Sequence, residues 1–276
     1  MILVTGATGN VGRNVIDQLI SRGEKVRAIA RDPGNAKLPD GVEVFQGDLR
    51  RPETLPAALA GVDRAFLFPV FGALDGFLDA AARAAVGHVV LLSSSSVTYP
   101  RLNRIGRMHV ECEQAVTRSG LPWTFVRPGA FMTNDLTWAP MIRAEGVVRT
   151  AYGDAAVAGI DERDIAAVAV SALLDDGHAG QAYKLTGPES LTQVERVRIL
   201  GEVIGGPVRF EEVPPERARQ QMIDSSLPPE FADTVLEVLA ALAGKTAEVL
   251  PTVEEVTGRP PYTYAQWAAR HAGDFR

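Results

Sequence analysis

A chain of 276 residues is long for one minimal domain and short for two independent ones, which predicts one large domain with a smaller appended lobe. Its 46% hydrophobic and 22% charged residues suit a globular chain with a substantial core. The formal net charge of −6, with no long Lys/Arg run, argues against a nucleic-acid partner, and no run of about 18 apolar residues is present to span a membrane.

Short apolar runs alternate with longer stretches of helical period. The runs at 2–5 (ILVT), 25–30 (KVRAIA), 42–46 (VEVFQ), 63–69 (DRAFLFP), 88–93 (HVVLLS), 123–127 (WTFVR) and 182–186 (AYKLT) read as strands. They are continuously apolar, as strands buried on both faces of a parallel sheet are. Between them, Val11, Val15, Leu19 and Ile20 mark one helix face, and Leu74, Phe77, Leu78, Ala81, Ala82 and Ala85 another; residues 104–119 and 162–174 make two more. Gly23, Gly61, Gly87 and Gly120 fall where helices must stop. The alternation predicts an α/β fold, a doubly wound parallel sheet. Residues 190–276 differ: they read as helices separated by Pro-rich turns, with little strand. The expected division is an α/β domain over 1–130, rejoined by 155–186, and a smaller, mainly helical capping lobe from 131–154 and 187–276.

The first strand runs into Gly6-Ala7-Thr8-Gly9-Asn10-Val11-Gly12, and a helix follows. This is the strand–turn–helix context in which a glycine pattern binds a dinucleotide pyrophosphate. Gly6 permits the tight turn, Gly9 lets the phosphates approach the backbone, and Gly12 lets the helix pack against the strand. The first helical amides and the positive end of the helix dipole then face the anion. At the end of the second strand stands Arg31, where an acidic residue would select the ribose hydroxyls of NAD. A guanidinium suits a 2′-phosphate, so NADP(H) is expected in preference to NAD(H), with Arg13 in support and Asp32 adding a local negative charge.

A single cysteine, Cys112, allows no intrachain disulfide and suits a reducing cytoplasm, the expected location. The N-terminus lacks the basic flank and long apolar stretch of a signal peptide. His88, His109, His178 and His271 show no metal-ligand spacing, so no metal is expected.

GATGNVG at the N-terminus, ARDP after the second strand, GDL at 47–49, SGLPWTFVRPGAFMTN at 119–134, DERDIA at 161–166 and LTGPE at 185–189 together resemble the atypical short-chain dehydrogenase/reductases of the NmrA-like branch. The resemblance covers nearly the whole chain. It implies a Rossmann-like fold, with Asp48 and Leu49 at the adenine and Phe68 and Pro69 lining the cofactor cleft. It further implies that Ser93 and Ser94, with Pro128, Gly129, Ala130 and Phe131, flank the nicotinamide.

The wider superfamily places Tyr and Lys at i and i+4 on one helix, so that the lysine cation lowers the tyrosine pKa. Alignment through Glu113 puts Ile105 at the tyrosine position and His109 at the lysine position. Isoleucine exchanges no proton, so the usual alcohol/ketone machinery is absent. His109 could hold the nicotinamide ribose, donate a proton, or merely bond a neighbour. Tyr99 is an alternative acid, and Ser95 matches the superfamily's catalytic serine by position, or else caps the next segment. Asp161 and Asp164 read as a helix start. Phe66, Phe71, Trp138 and Tyr152 could wall a flat substrate, though Phe66 and Trp123 suit the core better; Cys112 reads as a small buried hydrophobe. Two functions are compatible with this pattern. One is an NADPH-dependent reductase of a small conjugated acceptor (quinone, enone or imine). The other is an NADP(H) sensor acting on a partner protein. The partner expected is a small-molecule substrate, with a homodimer compatible with the sequence.

Overall fold

The computed structural model describes residues 1–276. In chain order it runs β1 (Ile2–Val4), α1 (Asn10–Ser21), β2 (Val26–Ala30), β3 (Glu43–Gln46), α2 (Pro56–Leu59), β4 (Arg64–Leu67), α3 (Asp75–Arg83), β5 (His88–Leu92), α4 (Arg104–Arg118) and β6 (Trp123–Pro128). It continues with α5 (Ala139–Glu145), β7 (Val147–Thr150), β8 (Ala156–Val157), α6 (Glu162–Leu174), β9 (Gln181–Leu185), β10 (Leu191–Thr192), α7 (Gln193–Ile204), β11 (Arg209–Glu212), α8 (Pro215–Asp224), α9 (Pro229–Leu242), α10 (Thr252–Thr257) and α11 (Tyr264–Arg270). No helix is long and apolar enough to cross a membrane.

Two compact units emerge. The first comprises 1–128, 162–185 and 252–259, the second 129–161, 186–251 and 260–276.

The first unit is a seven-stranded sheet in the order β3-β2-β1-β4-β5-β6-β9, every neighbouring pair parallel. Each of the seven strands expected from the sequence is present. β1 pairs with β2 on one side and β4 on the other, so the strand order reverses there and a crevice opens beyond the carboxyl ends of β1 and β4. One face is filled by Leu3, Leu59, Leu67, Phe77, Leu78, Val89, Leu91 and Val116, drawn from the sheet and from α2, α3 and α4. Across the sheet, α1 packs against α6, which is buried on nearly every side. The run of alanines and valines from Ala166 to Val170 makes this possible, since small side chains let two helices and a sheet approach together.

One expected helix stop is displaced. Gly87 is not the left-handed residue after α3; Ala85 is, at φ 58°. The N–H of Val86 reaches back to the Ala81 carbonyl and that of Ala85 to Ala82, which closes the helix in a Schellman-type turn. The alanine methyl therefore occupies a position that favours glycine.

The second unit holds more strand than the sequence suggested. β7 pairs with β11 in parallel, and β8 with β10 antiparallel. Several of the expected Pro-rich turns are helix starts: Pro214 and Pro228 sit at N-caps with Pro215 and Pro229 at the first helical position, where a missing N–H costs nothing. The core gathers Trp138, Val148, Leu200, Trp267 and Phe275. Trp138, a candidate for a substrate wall, is buried beneath the Arg196 guanidinium, whose carbon lies 4.9 Å from the ring centre. Arg196 also pairs with Asp135, which accepts a 2.6 Å hydrogen bond from the Tyr264 hydroxyl. Burial pushes the Asp135 carboxyl up, against the opposing pull of Arg196.

Replacing Ala85 with glycine should raise stability by about 0.5–1 kcal/mol, the left-handed strain relieved less the extra chain entropy of glycine. Urea unfolding will measure it, and an unchanged or lower midpoint would refute the assignment of strain to Ala85.

Candidate dinucleotide site

The crevice beyond β1 and β4 contains a cavity of about 650 Å³. Its lining comes from the first turn (Thr5–Thr8), the end of β2 (Ile29–Asp32), the following loop (Asn35–Lys37), the end of β3 (Gly47–Arg50) and the loop after β4 (Phe68–Phe71). These are the carboxyl ends of adjacent parallel strands, where a doubly wound sheet holds its ligand. The open volume suits one extended nucleotide, and the donor set suits phosphates.

The turn is fixed by contact. Gly6 adopts φ 62°, and a Cβ there would fall 2.7 Å from that of Phe68. A Cβ at Gly12 would fall 2.8 Å from the Gly6 carbonyl carbon and closer still to its oxygen. Only glycine lets α1 lie this close to the turn. Gly9 is the N-cap in an extended conformation; its N–H donates to the Gly6 carbonyl at 3.0 Å, and its own carbonyl accepts from Arg13. The amides of Asn10, Val11 and Gly12 open the helix and have no intrahelical acceptor by geometry. Thr8, Gly9 and Asn10 are exposed, whereas Val11 is buried in the packing of α1. Thr5, which the sequence reading passed over, is fully buried and stitches the turn to β4: its hydroxyl donates to the Phe66 carbonyl and accepts from the Phe68 N–H at 2.7 Å. Phe68 is 43% exposed over the turn, and Pro69 beside it is buried.

The cavity lining carries more positive than negative charge: Arg13, Arg31, Lys37 and Arg50 line it, with Asp32 and Asp48. The Arg13 guanidinium donates to the Lys37 carbonyl, and Lys37 itself adopts φ 44°, so the loop is drawn toward the start of α1. Asp32, the neighbouring negative charge, accepts a 2.6 Å hydrogen bond from Asn35. Asp48 accepts from the Arg50 N–H at 2.9 Å, shaping the turn that carries buried Leu49 into the wall. Lys37 was not legible as a site residue, because its position depends on the loop conformation.

Beyond β5 the serines divide their tasks. Ser93 is buried and its hydroxyl donates to Glu113 on α4 at 2.6 Å. Glu113 also takes two hydrogen bonds from Arg127 of β6, at 2.8 and 2.7 Å. This cluster ties α4 to the ends of two strands. Ser94, not Ser95, caps the following turn, accepting from the Ser96 N–H. Ser95 is buried within that turn, and Tyr99 stands at its end, 40% exposed. Ile105 is partly buried on the first turn of α4. His109, one turn on, is 9% exposed and meets the edge of Phe71 at 5.1 Å. Burial pushes its pKa down to about 4, with Glu113 pulling weakly the other way. Burial likewise pushes the Cys112 thiol up to about 11, as expected of an inert core cysteine.

Among the other residues named from the sequence, Pro128 ends β6 in the first unit. Gly129, Ala130 and Phe131 begin the second, where Phe131 bridges to Ile160 and the Ala130 carbonyl accepts from its N–H. Asp161 and Asp164 are fully buried, paired with Arg270 and Arg259 respectively. Phe66 is core; Tyr152 is half-buried at φ 63°.

A parallel doubly wound sheet with a glycine turn at its switch point and a nucleotide-sized cavity beside it defines a Rossmann-type NAD(P)H-binding protein. The chain belongs to the NAD(P)H-binding family, whose model matches residues 6–176. It is 47% identical to a (4-alkanoyl-5-oxo-2,5-dihydrofuran-3-yl)methyl phosphate reductase of Streptomyces griseus, over 100% of this chain and 99% of that one. It is 41% identical to an NAD(P)H azoreductase of Xenophilus azovorans, again over 100% and 99% of the two chains. Among solved structures it is similar to an Escherichia coli NADPH-dependent quinone oxidoreductase in complex with NADPH, with a TM-score of 0.83 and 27% identity over 98% and 99% of the chains. The chain is an NAD(P)H-dependent oxidoreductase.

Replacing Glu113 with alanine should cost about 3 kcal/mol, because it strands the partly buried Arg127 guanidinium and the Ser93 hydroxyl. Chemical denaturation will read the loss, and a change under about 1 kcal/mol would show that the cluster is not structural.

Proposed function

We propose that this oxidoreductase uses NADPH to reduce a small conjugated acceptor, with a carbonyl-conjugated double bond as the first class to test. The single observation that carries the cofactor choice is the excess of cations in the cavity lining near the end of β2, where Arg31, Arg13 and Lys37 outnumber the Asp32 carboxylate, which is bonded to Asn35. A 2′-phosphate supplies the charge that this end lacks, and the ribose hydroxyls of NADH do not. Lining the rest of the cavity, Ile29, Asp48 and Leu49 are assigned to the adenine, and Phe68 and Pro69 to the middle of the cofactor. The α1 amides take the pyrophosphate. Ser93, Ser94 and Pro128, at the carboxyl ends of β5 and β6, are assigned to the nicotinamide end. When bound, the reduced nicotinamide supplies the hydride.

Absence of a tyrosine at Ile105 bears on the acceptor. An isolated ketone builds full alkoxide character on one oxygen and needs an acid beside it. A conjugated acceptor spreads that charge over several atoms and tolerates late protonation. The three relatives act on acceptors of this electronic kind by name: an acylated oxo-dihydrofuran, an azo compound and a quinone. The loops after β4 and β5 also present exposed aromatic surface, Phe71 at 38% and Tyr99 at 40%, suited to a planar group.

NADPH oxidation should be detectable with at least one of an acyl-substituted butenolide, menadione and an azo dye; NADPH binding without any turnover would favour a sensor instead. Arg31→Ala should weaken NADPH by about 10–100-fold, the worth of one or two charge-assisted hydrogen bonds, and NADH by less than about threefold. Lys37→Ala should act in the same direction. Fluorescence titration will separate the two nucleotides, and equal losses would remove the ground for the NADPH assignment.

A further inference from the structure

Resting on the reductase reading above, we infer that His109 is the electrophile of the site: a neutral imidazole whose Nε2–H hydrogen-bonds the carbonyl oxygen of the conjugated acceptor, while water supplies the proton. Three features of the ring lead there. First, Nδ1 is fully buried and has no hydrogen-bond partner. An N–H stranded at that depth would forfeit its hydration for nothing, whereas an unprotonated nitrogen forfeits only the weaker acceptor interaction, so the proton belongs on Nε2. Second, Nε2 is bonded to nothing in the protein and keeps the accessible edge of a ring that is otherwise 9% exposed. Third, the ring stands 5.1 Å from Phe71 in an edge-on contact at 86°, and Phe71 lines the nucleotide cavity. The imidazole is thus one aromatic ring away from the cofactor wall, with a free donor and no internal use for it.

The charge state agrees with the geometry. Burial holds the His109 pKa down at about 4, and the only charged side chain acting on it is Glu113, whose carboxylate is already shared by Ser93 and Arg127. Neither the Phe71 loop nor the turn at Ser95–Thr98 contributes an opposing charge. His109 is therefore uncharged at neutral pH and has no second proton to give. A neutral imidazole N–H still polarises a carbonyl, and the developing oxyanion strengthens the bond.

Hydride and its electron pair form a C–H bond at the β-carbon of the acceptor as the nicotinamide is oxidised. The double-bond pair shifts into the bond between the α-carbon and the carbonyl carbon, displacing the carbonyl pair onto oxygen, which accepts from Nε2–H. A proton from water then adds at the α-carbon and restores the carbonyl. The acceptor gains two electrons and two hydrogens, one as hydride and one as solvent proton.

The test combines kinetics with a readout of the ring itself. Long-range ¹H–¹⁵N correlation NMR should show His109 protonated at Nε2 and not at Nδ1, with no titration from about pH 5.5 to pH 8. With an acyl-substituted butenolide or menadione, kcat of the native enzyme should be free of any His109 ionisation over that range. His109→Ala should lower kcat by about 100-fold, as loss of an oxyanion donor does, while the NADPH Kd stays within about threefold. His109→Gln, which restores an N–H, should recover about tenfold of that loss. An Nδ1–H tautomer, a histidine ionisation near neutrality that disappears with the substitution, or unchanged turnover in His109→Ala would each overturn this role. A loss of NADPH affinity above about tenfold would make His109 a cofactor ligand instead. If the native enzyme binds NADPH but turns over no acceptor, the reductase reading itself falls, and this role with it.

Discussion

The contact between Gly12 and the Gly6 carbonyl sets the rest of the site. It draws the first turn of α1 against the end of β1, at the point where strand order reverses. A helix held one methyl group farther away would direct its free amides past the crevice. Thr5 supports the same contact from the other side by tying the turn to β4, and Phe68 covers it. The turn proposed to cradle the pyrophosphate is therefore a packing result before it is an electrostatic one. The helix dipole and the orphan amides become useful because the backbone has been brought to them.

Farther along the same end of the sheet, α4 is not a passive helix. Glu113, Ser93 and Arg127 anchor it to β5 and β6 through a buried ionic cluster. That anchor fixes where His109 stands. Burial of the ring under Phe71 then removes its charge and leaves one nitrogen free. Reduction of a conjugated acceptor makes modest demands: a hydride source, a dry and oriented surface, and a donor for developing negative charge. In the role inferred for His109, α4 would meet the last of these with a neutral group, which spares the site the cost of a buried cation.

Strands buried on both faces announce themselves as apolar runs, so the seven strands of the main sheet were legible, and so were the long helices between them. The glycine turn was legible because its spacing and its strand–turn–helix setting coincide. What escaped follows from the same physics. β11 is short and reads Arg-Phe-Glu-Glu, a polar pattern that gives no sign of its pairing with β7. Ala85 takes a left-handed position that composition assigns to Gly87 two residues later. The Glu113–Arg127 pair joins a helix to a strand across 14 residues, and Lys37 reaches the cavity only through its loop conformation. Tertiary pairings of this kind leave no local period. Trp138 shows the converse error: a large aromatic residue near a proposed substrate lobe proves to be core, packed under Arg196.

The central claim is that the turn at residues 6–12 and the cations near the end of β2 hold opposite ends of one NADPH molecule's adenosine-pyrophosphate half. A crystal structure of the protein grown with NADPH tests it most directly. The pyrophosphate is expected against the amides that open α1, with the 2′-phosphate within hydrogen-bond reach of Arg31. Nucleotide density lying elsewhere on the molecule, or an empty crevice at saturating NADPH, would contradict it.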